Sequence, residues 1–293
     1  MSDQRLPRRT FLKIAALGVS GVGLTGLGCA KPVASGSVPG STSTVSPDEA
    51  LKLGVASYSL RNFSRPRAIE MTRSLGVRYI NFKSMHLPYD ATPAEFAAAR
   101  SQLAAAGLQL VGGGMITFET DTDEGVKKYF DYARSAGMPT IVCTSKPNIL
   151  PRIEKFAKEY DIRIAIHNHG PEDPDFPSPY DALKAVQGMD HRMGLCIDLG
   201  HTVRAGADPV RAIADAGPRL IDMHAKDLRD FSSAESQCVV GEGKMPIADI
   251  FRQLRASQYA GYVNLEYEIE PDNPLPGMLK SFTYMRGVLA SIA

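Results

Sequence analysis

Four residues of the kinds that bind divalent metal ions end four apolar segments of the chain. They are His167, Asp198, His224 and Glu266, found in IAIHNHG, LCIDLGH, LIDMHAKD and VNLEYE. The segments have the length of β-strands and follow one another roughly one strand–helix unit apart. In a closed barrel of parallel strands, every strand presents its carboxyl end to the same face. We therefore expect these four side chains to converge on one point, where the chemistry of the protein would take place.

The rest of the chain supplies the strands that such a barrel needs. Short apolar or β-branched runs alternate with amphipathic stretches, which is the pattern of successive βα units around a parallel sheet. Eight strands are enough to close a barrel. The candidate strands are residues 53–57, 79–83, 108–112, 140–144, 163–167, 193–198, 220–224 and 262–266. The sequence thus predicts an α/β fold, a single-domain (β/α)8 TIM barrel, at residues 48–293.

Helix boundary signals lie between these strands. Thr92 is a capping hydroxyl, followed by Pro93 in the first helical turn and Glu95 near the positive end of the helix. Gly107 and Gly137 stand just before the third and fourth strands, where left-handed residues commonly end helices. The local signals and the strand pattern therefore indicate the same architecture.

The charge and cysteine content exclude several classes of protein. The 293 residues carry 33 basic and 32 acidic side chains, which gives a net charge of +1 and no general field for nucleic acid. The four cysteines show no CxxC pair and no regular spacing, so they predict neither a zinc cage nor a disulfide framework. Cys143 and Cys196 lie inside apolar strands, where a thiol acts as a small hydrophobic group. We therefore expect no nucleic acid as a partner.

The N-terminal residues 1–29 resemble a twin-arginine export signal with a lipoprotein-like end. RRTFLK at residues 8–13 precedes a weakly hydrophobic, glycine-rich stretch that is shorter than a typical transmembrane helix. Cys29 occupies the place of a lipidated cysteine, which would anchor the protein to a membrane; cleavage farther on and an uncleaved anchor are the alternatives. Residues 30–47 are rich in Ser, Gly, Pro and Thr, a composition that predicts a flexible linker. We expect an exported protein, either periplasmic or anchored as a lipoprotein.

From about residue 50 to 290 the chain resembles the xylose isomerase-like barrels, grouped as sugar phosphate isomerases and epimerases. That group includes inosose dehydratases, keto-sugar epimerases and endonuclease-IV-like enzymes. The resemblance rests on HNHG at 167–170, DLGH at 198–201, HAKD at 224–227, GEG at 241–243 and LE at 265–266. It implies one divalent metal held by His167, Asp198, His224 and Glu266. Two positions depart from the family pattern: His167 and Lys83 stand where many relatives carry glutamate.

The same resemblance implies roles for the residues around the metal. Lys83, His169 and Glu266 are the candidate acids and bases, and His169 is also an alternative metal ligand to His167, because strand alternation turns both to the same side. The loss of one of two paired glutamates argues against a symmetrical two-glutamate proton exchange. The candidate substrate-binding residues are His86, His201, Lys226 and Glu268.

Nitrogen and oxygen ligands together suit manganese, zinc, cobalt or iron better than calcium or magnesium. The leading hypothesis is a sugar isomerase or epimerase that abstracts a proton next to a carbonyl group. Export favours a substrate without phosphate. The alternatives are a dehydratase or 3-keto-glycoside lyase using the same site, and a non-catalytic exported sugar-binding protein. The sequence leaves the oligomeric state open.

Overall fold

The computed structural model describes residues 51–292, and within them the chain forms a closed barrel of eight parallel strands surrounded by helices. The predicted fold class is therefore confirmed. The predicted signal at residues 1–29 and the linker at 30–47 lie outside the described residues. The barrel strands, in chain order, are β1 (Lys52–Ala56), β2 (Tyr79–Phe82), β3 (Gln109–Phe118), β4 (Thr140–Ser145), β5 (Arg163–His167), β6 (Met193–Asp198), β7 (Leu220–Ala225) and β10 (Tyr262–Leu265).

Helices follow most strands and cover the outside of the barrel. In chain order they are α1 (Arg65–Ser74), α2 (Pro93–Ala106), α3 (Asp123–Ala136), α4 (Leu150–Tyr160), α5 (Pro179–Ala185), α6 (Leu199–Arg204), α7 (Pro209–Ala216), α8 (Ile247–Ala256) and α9 (Leu275–Ser291). Among residues 51–292, none of the helices is long and apolar enough to cross a membrane.

The predicted helix ends are present. The Thr92 side chain accepts a hydrogen bond from the backbone N–H of Glu95, and the Glu95 carboxylate accepts one from the backbone N–H of Thr92. This reciprocal capping satisfies two donors at the start of α2. Gly107 and Gly137 end α2 and α3 with φ angles of 68° and 78°, a conformation that costs glycine little.

Strand β3 is longer than the sequence pattern indicates. It runs through the triple glycine at 112–114 and ends at Phe118. A Cβ atom added at Gly113 would collide with the Met138 side chain, and one added at Gly114 would collide with the carbonyl oxygen of Val142. The glycines therefore let β3 pack closely against its neighbours while it continues toward the face formed by the carboxyl ends of the strands.

The barrel interior is apolar at most levels but contains one polar layer. Cys143 and Cys196 are free and fully buried, as expected for small hydrophobic groups. Asp222 is paired with Cys196 in the sheet register, and Asn264 Nδ2 donates a hydrogen bond to Asp222 Oδ1 over 2.8 Å. Burial raises the pKa of Asp222 to about 6. An ionisable group thus lies inside the barrel, two residues before His224 on the same strand.

A short hairpin stabilises the segment after β7. It consists of β8 (Asp227–Leu228) and β9 (Gln237–Cys238), paired antiparallel. Asp227 is fully buried, and its carboxylate accepts hydrogen bonds from the backbone N–H groups of Gly241, Gly243 and Met245. The HAKD and GEG motifs are therefore linked, because Asp227 of the first motif holds the loop that contains the second.

Candidate active site and metal centre

The four predicted metal ligands meet at the carboxyl ends of β5, β6, β7 and β10. His167 Nε2 lies 3.0 Å from His224 Nδ1, and His224 Nδ1 lies 3.0 Å from Glu266 Oε2. Asp198 Oδ2 is 3.6 Å from His167 Nε2. One ligand atom from each of the four buried residues lies within 4.8 Å of every other. We refer to His167, Asp198, His224 and Glu266 as the ligand cluster.

The donor atoms of this cluster fit a divalent cation. Two imidazole nitrogens and two carboxylate oxygens point at a common centre, a mixed set that suits manganese, zinc, cobalt or iron. Asp198 is fully buried, and its Oδ2 atom has Lys226 Nζ at 3.0 Å and His167 Nε2 at 3.6 Å. Buried carboxylates require cationic neighbours, and a divalent cation among these four donors would add to the positive charge that Lys226 supplies. The residues present therefore match the metal that the sequence predicted.

Neighbouring groups fix the orientation of Asp198. Its Oδ1 atom accepts a hydrogen bond from the backbone N–H of His201 at the start of α6. Its backbone N–H donates to Asn168 Oδ1 over 3.0 Å, and Asn168 Nδ2 donates to Thr202 Oγ1. Partners of this kind hold a ligand in the geometry that metal binding requires. Asn168 was not singled out from the sequence, although it lies within the HNHG motif.

Lys226 is buried against the ligand cluster. Its ammonium group lies 3.0 Å from Asp198 Oδ2, 3.1 Å from Glu266 Oε2 and 2.7 Å from Glu268 Oε2. Burial acts to lower the pKa of Lys226, but the three carboxylates outweigh it and hold the pKa well above its ordinary value. Lys226 does not line the cavity described below and is a counter-ion to these carboxylates, so its substrate-binding role stays a prediction.

Lys83 approaches Glu266 from the other side. Its Nζ atom is 3.3 Å from Glu266 Oε1 and 5.2 Å from the centre of the Tyr58 ring. Burial raises the pKa of Glu266, but His224, Lys226 and Lys83 lower it by more, and the net pKa is well below the ordinary value. Glu266 is therefore an ionised carboxylate whose two oxygens both face cationic or proton-donating groups.

A cavity of about 350 Å³ opens above the ligand cluster. Six of the residues predicted for the site line it: Lys83, His167, His169, His201, Glu266 and Glu268. His86 does not. Its Nδ1 atom is 2.9 Å from Ser57 Oγ and its Nε2 atom is 3.2 Å from the carbonyl oxygen of Leu60, so both ring nitrogens contact the turn after β1. The His86 ring is thus buried in that turn, and its substrate-binding role stays a prediction.

A family model described as "Xylose isomerase-like TIM barrel" matches residues 69–287. The chain belongs to the xylose isomerase-like TIM barrel family. An inosose dehydratase from Clostridium botulinum (strain Eklund 17B / Type B) is 24% identical over 239 residues, which is 75% of this chain and 78% of the relative. The rhizopine catabolism protein MocC of Rhizobium meliloti is 27% identical over 133 residues, and the match spans only 40% of each chain.

The fold also matches solved structures of the family. A crystal structure of D-psicose 3-epimerase in the presence of D-fructose superimposes with a TM-score of 0.66 and 18% sequence identity, covering 82% of this chain and 98% of the other. At that identity, the likeness supports the fold alone. The proteins to which this chain is similar therefore include an inosose dehydratase, by sequence, and a D-psicose 3-epimerase, by fold.

The two histidines that were alternative metal ligands, His167 and His169, occupy different positions at the site. His167 is buried and belongs to the ligand cluster, whereas His169 is partly exposed, with its Nδ1 atom 3.3 Å from Asp173 Oδ2. The two rings lie side by side, with centroids 4.4 Å apart. The structure thus brings His167 to the cluster and His169 to the cavity, which separates two residues that strand alternation alone could not distinguish.

Four further residues line the cavity that sequence reasoning did not select: Tyr58, Ser84, Met85 and Met115. Tyr58 lies in the turn after β1, and Ser84 and Met85 directly follow Lys83. Their positions just beyond the strand ends were the available signal, because loops at that face form the active sites of this fold. Met115 gave no signal, since it occupies a strand that extends beyond its predicted end.

Proposed function

We propose that the protein is a divalent-metal-dependent enzyme that removes the proton next to the carbonyl group of a free keto-sugar or keto-polyol. The observation that supports this most is the ligand cluster, four buried donors that meet beneath a cavity lined by a lysine and three histidines. Acid–base groups next to a metal site are what carbon-acid chemistry requires.

His167, Asp198, His224 and Glu266 would hold the metal. A bound divalent cation would act as a Lewis acid that polarises the carbonyl and stabilises negative charge on its oxygen. Lys83 adds a fixed positive charge on the cavity wall. This charge would help to stabilise the negative charge that develops on the carbonyl oxygen. Lys226 keeps the two carboxylates of the cluster ionised and in place.

His169 is the proposed base. Its ring lines the cavity, whereas both oxygens of Glu266 are already engaged by His224, Lys226 and Lys83. A carboxylate held in this way is a poor proton acceptor, because protonation would cost several ion pairs. The proposal therefore gives Glu266 a role in metal binding and leaves proton transfer to His169.

The outcome we favour is β-elimination, with isomerisation or epimerisation as the alternative. Epimerisation needs proton-transfer groups on both faces of the sugar carbon, and the family's paired glutamates are replaced here at the β5 position by His167. Elimination needs only one such group. His169 takes the proton from carbon, the electron pair forms the double bond, and the bond to the β-oxygen breaks as that oxygen takes the proton back from His169. The named dehydratase among the relatives is consistent with this choice.

The proposal also includes export and an unphosphorylated substrate. The RRTFLK segment and Cys29 support export to the periplasm, with or without a lipid anchor. Sugar phosphates are chiefly intracellular, so an exported enzyme of this family would meet free sugars. Fractionation of cells that express the full chain, alongside an Arg8→Lys, Arg9→Lys variant, tests this part.

The activity is tested with full-length protein that is stripped by a chelator and reloaded with Mn²⁺, Co²⁺, Zn²⁺ or Fe²⁺. We expect 3-keto-glucosides in deuterated water to exchange the hydrogen next to the carbonyl, and proton NMR to show a new olefinic signal. His224→Ala should lose the metal and at least about 100-fold in rate, which corresponds to a few kcal/mol. His191→Ala, at a histidine whose side chain is 80% exposed, is the matched control. Wild-type protein that binds none of the four metals would overturn the proposal.

A further inference from the structure

A second cavity of about 590 Å³ adjoins the first on the same face of the barrel. We call it the outer groove; it is lined by residues 117–119 at the end of β3, 144–146 at the end of β4 and 172–175 after β5, together with His169. His169 also lines the inner cavity. The proposed base therefore stands at the junction of two spaces, only one of which contains the ligand cluster.

The inner cavity alone is sufficient for the proposed chemistry. Its volume of about 350 Å³ is near the lower end of ordinary ligand sites, which span roughly 300–1,000 Å³. A single sugar ring placed over the ligand cluster would leave the outer groove empty. The additional space is explained if the substrate extends beyond the ring that reacts.

The outer groove contains a buried polar group with no partner. Ser145 is 5% exposed and lines the groove, and its Oγ atom makes no hydrogen bond with any of the described residues. A buried hydroxyl without a partner is costly, and a bound molecule that offers a donor or acceptor would remove the cost. The hydroxyls of Thr117 and Thr144 line the same groove. Sugar hydroxyls both donate and accept, so they match this lining.

The charges of the groove select against an anion. Its lining includes four carboxylates, from Glu119, Glu172, Asp173 and Asp175, against the single ammonium group of Lys146. Lys146 Nζ already lies 3.5 Å from Asp175 Oδ2. A phosphate or carboxylate group in the groove would face like charges, whereas an uncharged sugar would not.

We propose that the outer groove binds a second, uncharged sugar unit, so that the substrate is a keto-disaccharide or comparable glycoside with its keto ring over the ligand cluster. As a statement about the substrate, this rests on the proposed function. As a statement about a binding site, it is tested separately by carbohydrates that cannot react.

The experiment measures binding of glucose, cellobiose, maltose and trehalose to the full-length protein by calorimetry. At least one disaccharide should bind about tenfold or more tightly than glucose, a difference of about 1.4 kcal/mol. Thr117→Trp, at an exposed position in the groove lining, should abolish this advantage by filling the groove. Ser145→Ala should reduce it about two- to tenfold, as expected for one lost hydrogen bond. Thr283→Trp, at an exposed threonine of α9, is the matched control.

Activity then separates the two proposals. With 3-keto-glucose and 3-keto-cellobiose as substrates, Thr117→Trp should lower kcat/KM for the disaccharide about tenfold and leave that for the monosaccharide within about twofold. If no disaccharide binds more tightly than glucose, or if the advantage survives Thr117→Trp, the groove is not a sugar subsite, whatever the activity. If the binding advantage behaves as expected but neither keto-sugar reacts, the groove proposal stands and the proposed activity fails.

Discussion

Lys226 and Lys146 lie on the same face of the barrel, yet their surroundings are opposite. Lys226 is 4% exposed and has three carboxylate oxygens within 3.1 Å, whereas Lys146 is 65% exposed and has one carboxylate oxygen at 3.5 Å. The first lysine neutralises two buried carboxylates and the partly exposed Glu268. The second belongs to a rim where water screens charge. The inner cavity thus contains buried charges, whereas the charges at the rim of the outer groove are hydrated.

The different burial of these charges determines how strongly each region stabilises a bound charge. A buried set of charges stabilises another charge strongly, because little solvent competes with it. A partly hydrated rim gains little from its ion pairs and contributes mainly contact area and hydrogen bonds. The inner region is therefore suited to a cation and a developing oxyanion, and the outer groove to the uncharged part of a substrate.

The largest expected effect follows from removing the buried lysine. Lys226→Met should lower the free energy of unfolding by about 3–5 kcal/mol in metal-free protein, because Asp198 and Glu266 lose their shared counter-ion while remaining buried. Urea unfolding with a chelator measures the loss. Excess Mn²⁺ or Zn²⁺ should reduce it, because a cation in the ligand cluster would compensate the same carboxylates. A loss that is identical with and without metal would contradict our interpretation of the cluster.

The next effect concerns the acid beneath the cluster. The pKa of Asp222 is raised to about 6 by burial, above its ordinary value of 3.8. The folded protein therefore holds this proton more tightly than the unfolded chain, and stability should fall as pH rises from about 4 to about 6. A shift of about two units corresponds to roughly 3 kcal/mol. Asp222→Asn should remove this fall in metal-free protein.

Unfolding free energies at pH 4, 5, 6 and 7 would measure that dependence. The relevant quantity is the difference between wild type and Asp222→Asn at each pH, since other carboxyl groups titrate in the same range. Asp249→Asn, at a side chain that is 62% exposed, is the control and should leave the pH profile of the wild type unchanged. Parallel profiles for wild type and Asp222→Asn would mean that the buried acid does not control stability in this range.

The sequence predicted the barrel because its strands and caps are local signals. Residues 163–167 and 193–198 begin and end as the structure has them, and Thr92 caps its helix together with a side chain three residues away. The full length of β3 was missed, because its continuation past Gly114 depends on pairing with residues of β4 that are distant in the chain. The hairpin of β8 and β9 was missed for the same reason.

The ligand cluster was predictable because each ligand ends a recognisable strand. The role of Lys226 was not predictable, because the direction of its side chain depends on a neighbouring strand–helix junction. A Cβ atom at Gly200 would lie 2.7 Å from Lys226 Cδ, so the absence of a side chain there lets the lysine run inward. The outer groove could not be predicted either, since residues 172–175 reach it only by folding back toward the ends of β3 and β4.

A smaller effect is expected from removing the Asn168 side chain, which orients the metal ligand Asp198. Asn168→Ala should weaken metal binding by about 10–100-fold, because the Asn168 side chain links the backbone of Asp198 to Thr202. Competition against a metal-binding dye measures the affinity. Asn148→Ala, at an exposed asparagine outside both cavities, is the control and should not change it. Unchanged metal affinity in Asn168→Ala would restrict that residue to a role in folding.

The smallest effect on the free energy of unfolding is expected from replacing Lys146, the exposed lysine at the rim of the outer groove. Lys146→Met should change the free energy of unfolding by less than about 1 kcal/mol, because its ion pair with Asp175 is exposed and screened. The same substitution at Lys226 should cost several times more, although both lysines face carboxylates. Urea unfolding of the two variants, at low salt and at 0.5 M NaCl, compares them directly. A cost at Lys146 equal to that at Lys226 would mean that burial does not distinguish the regions, and the division into an inner site of buried charges and an outer groove of hydrated charges would then fail.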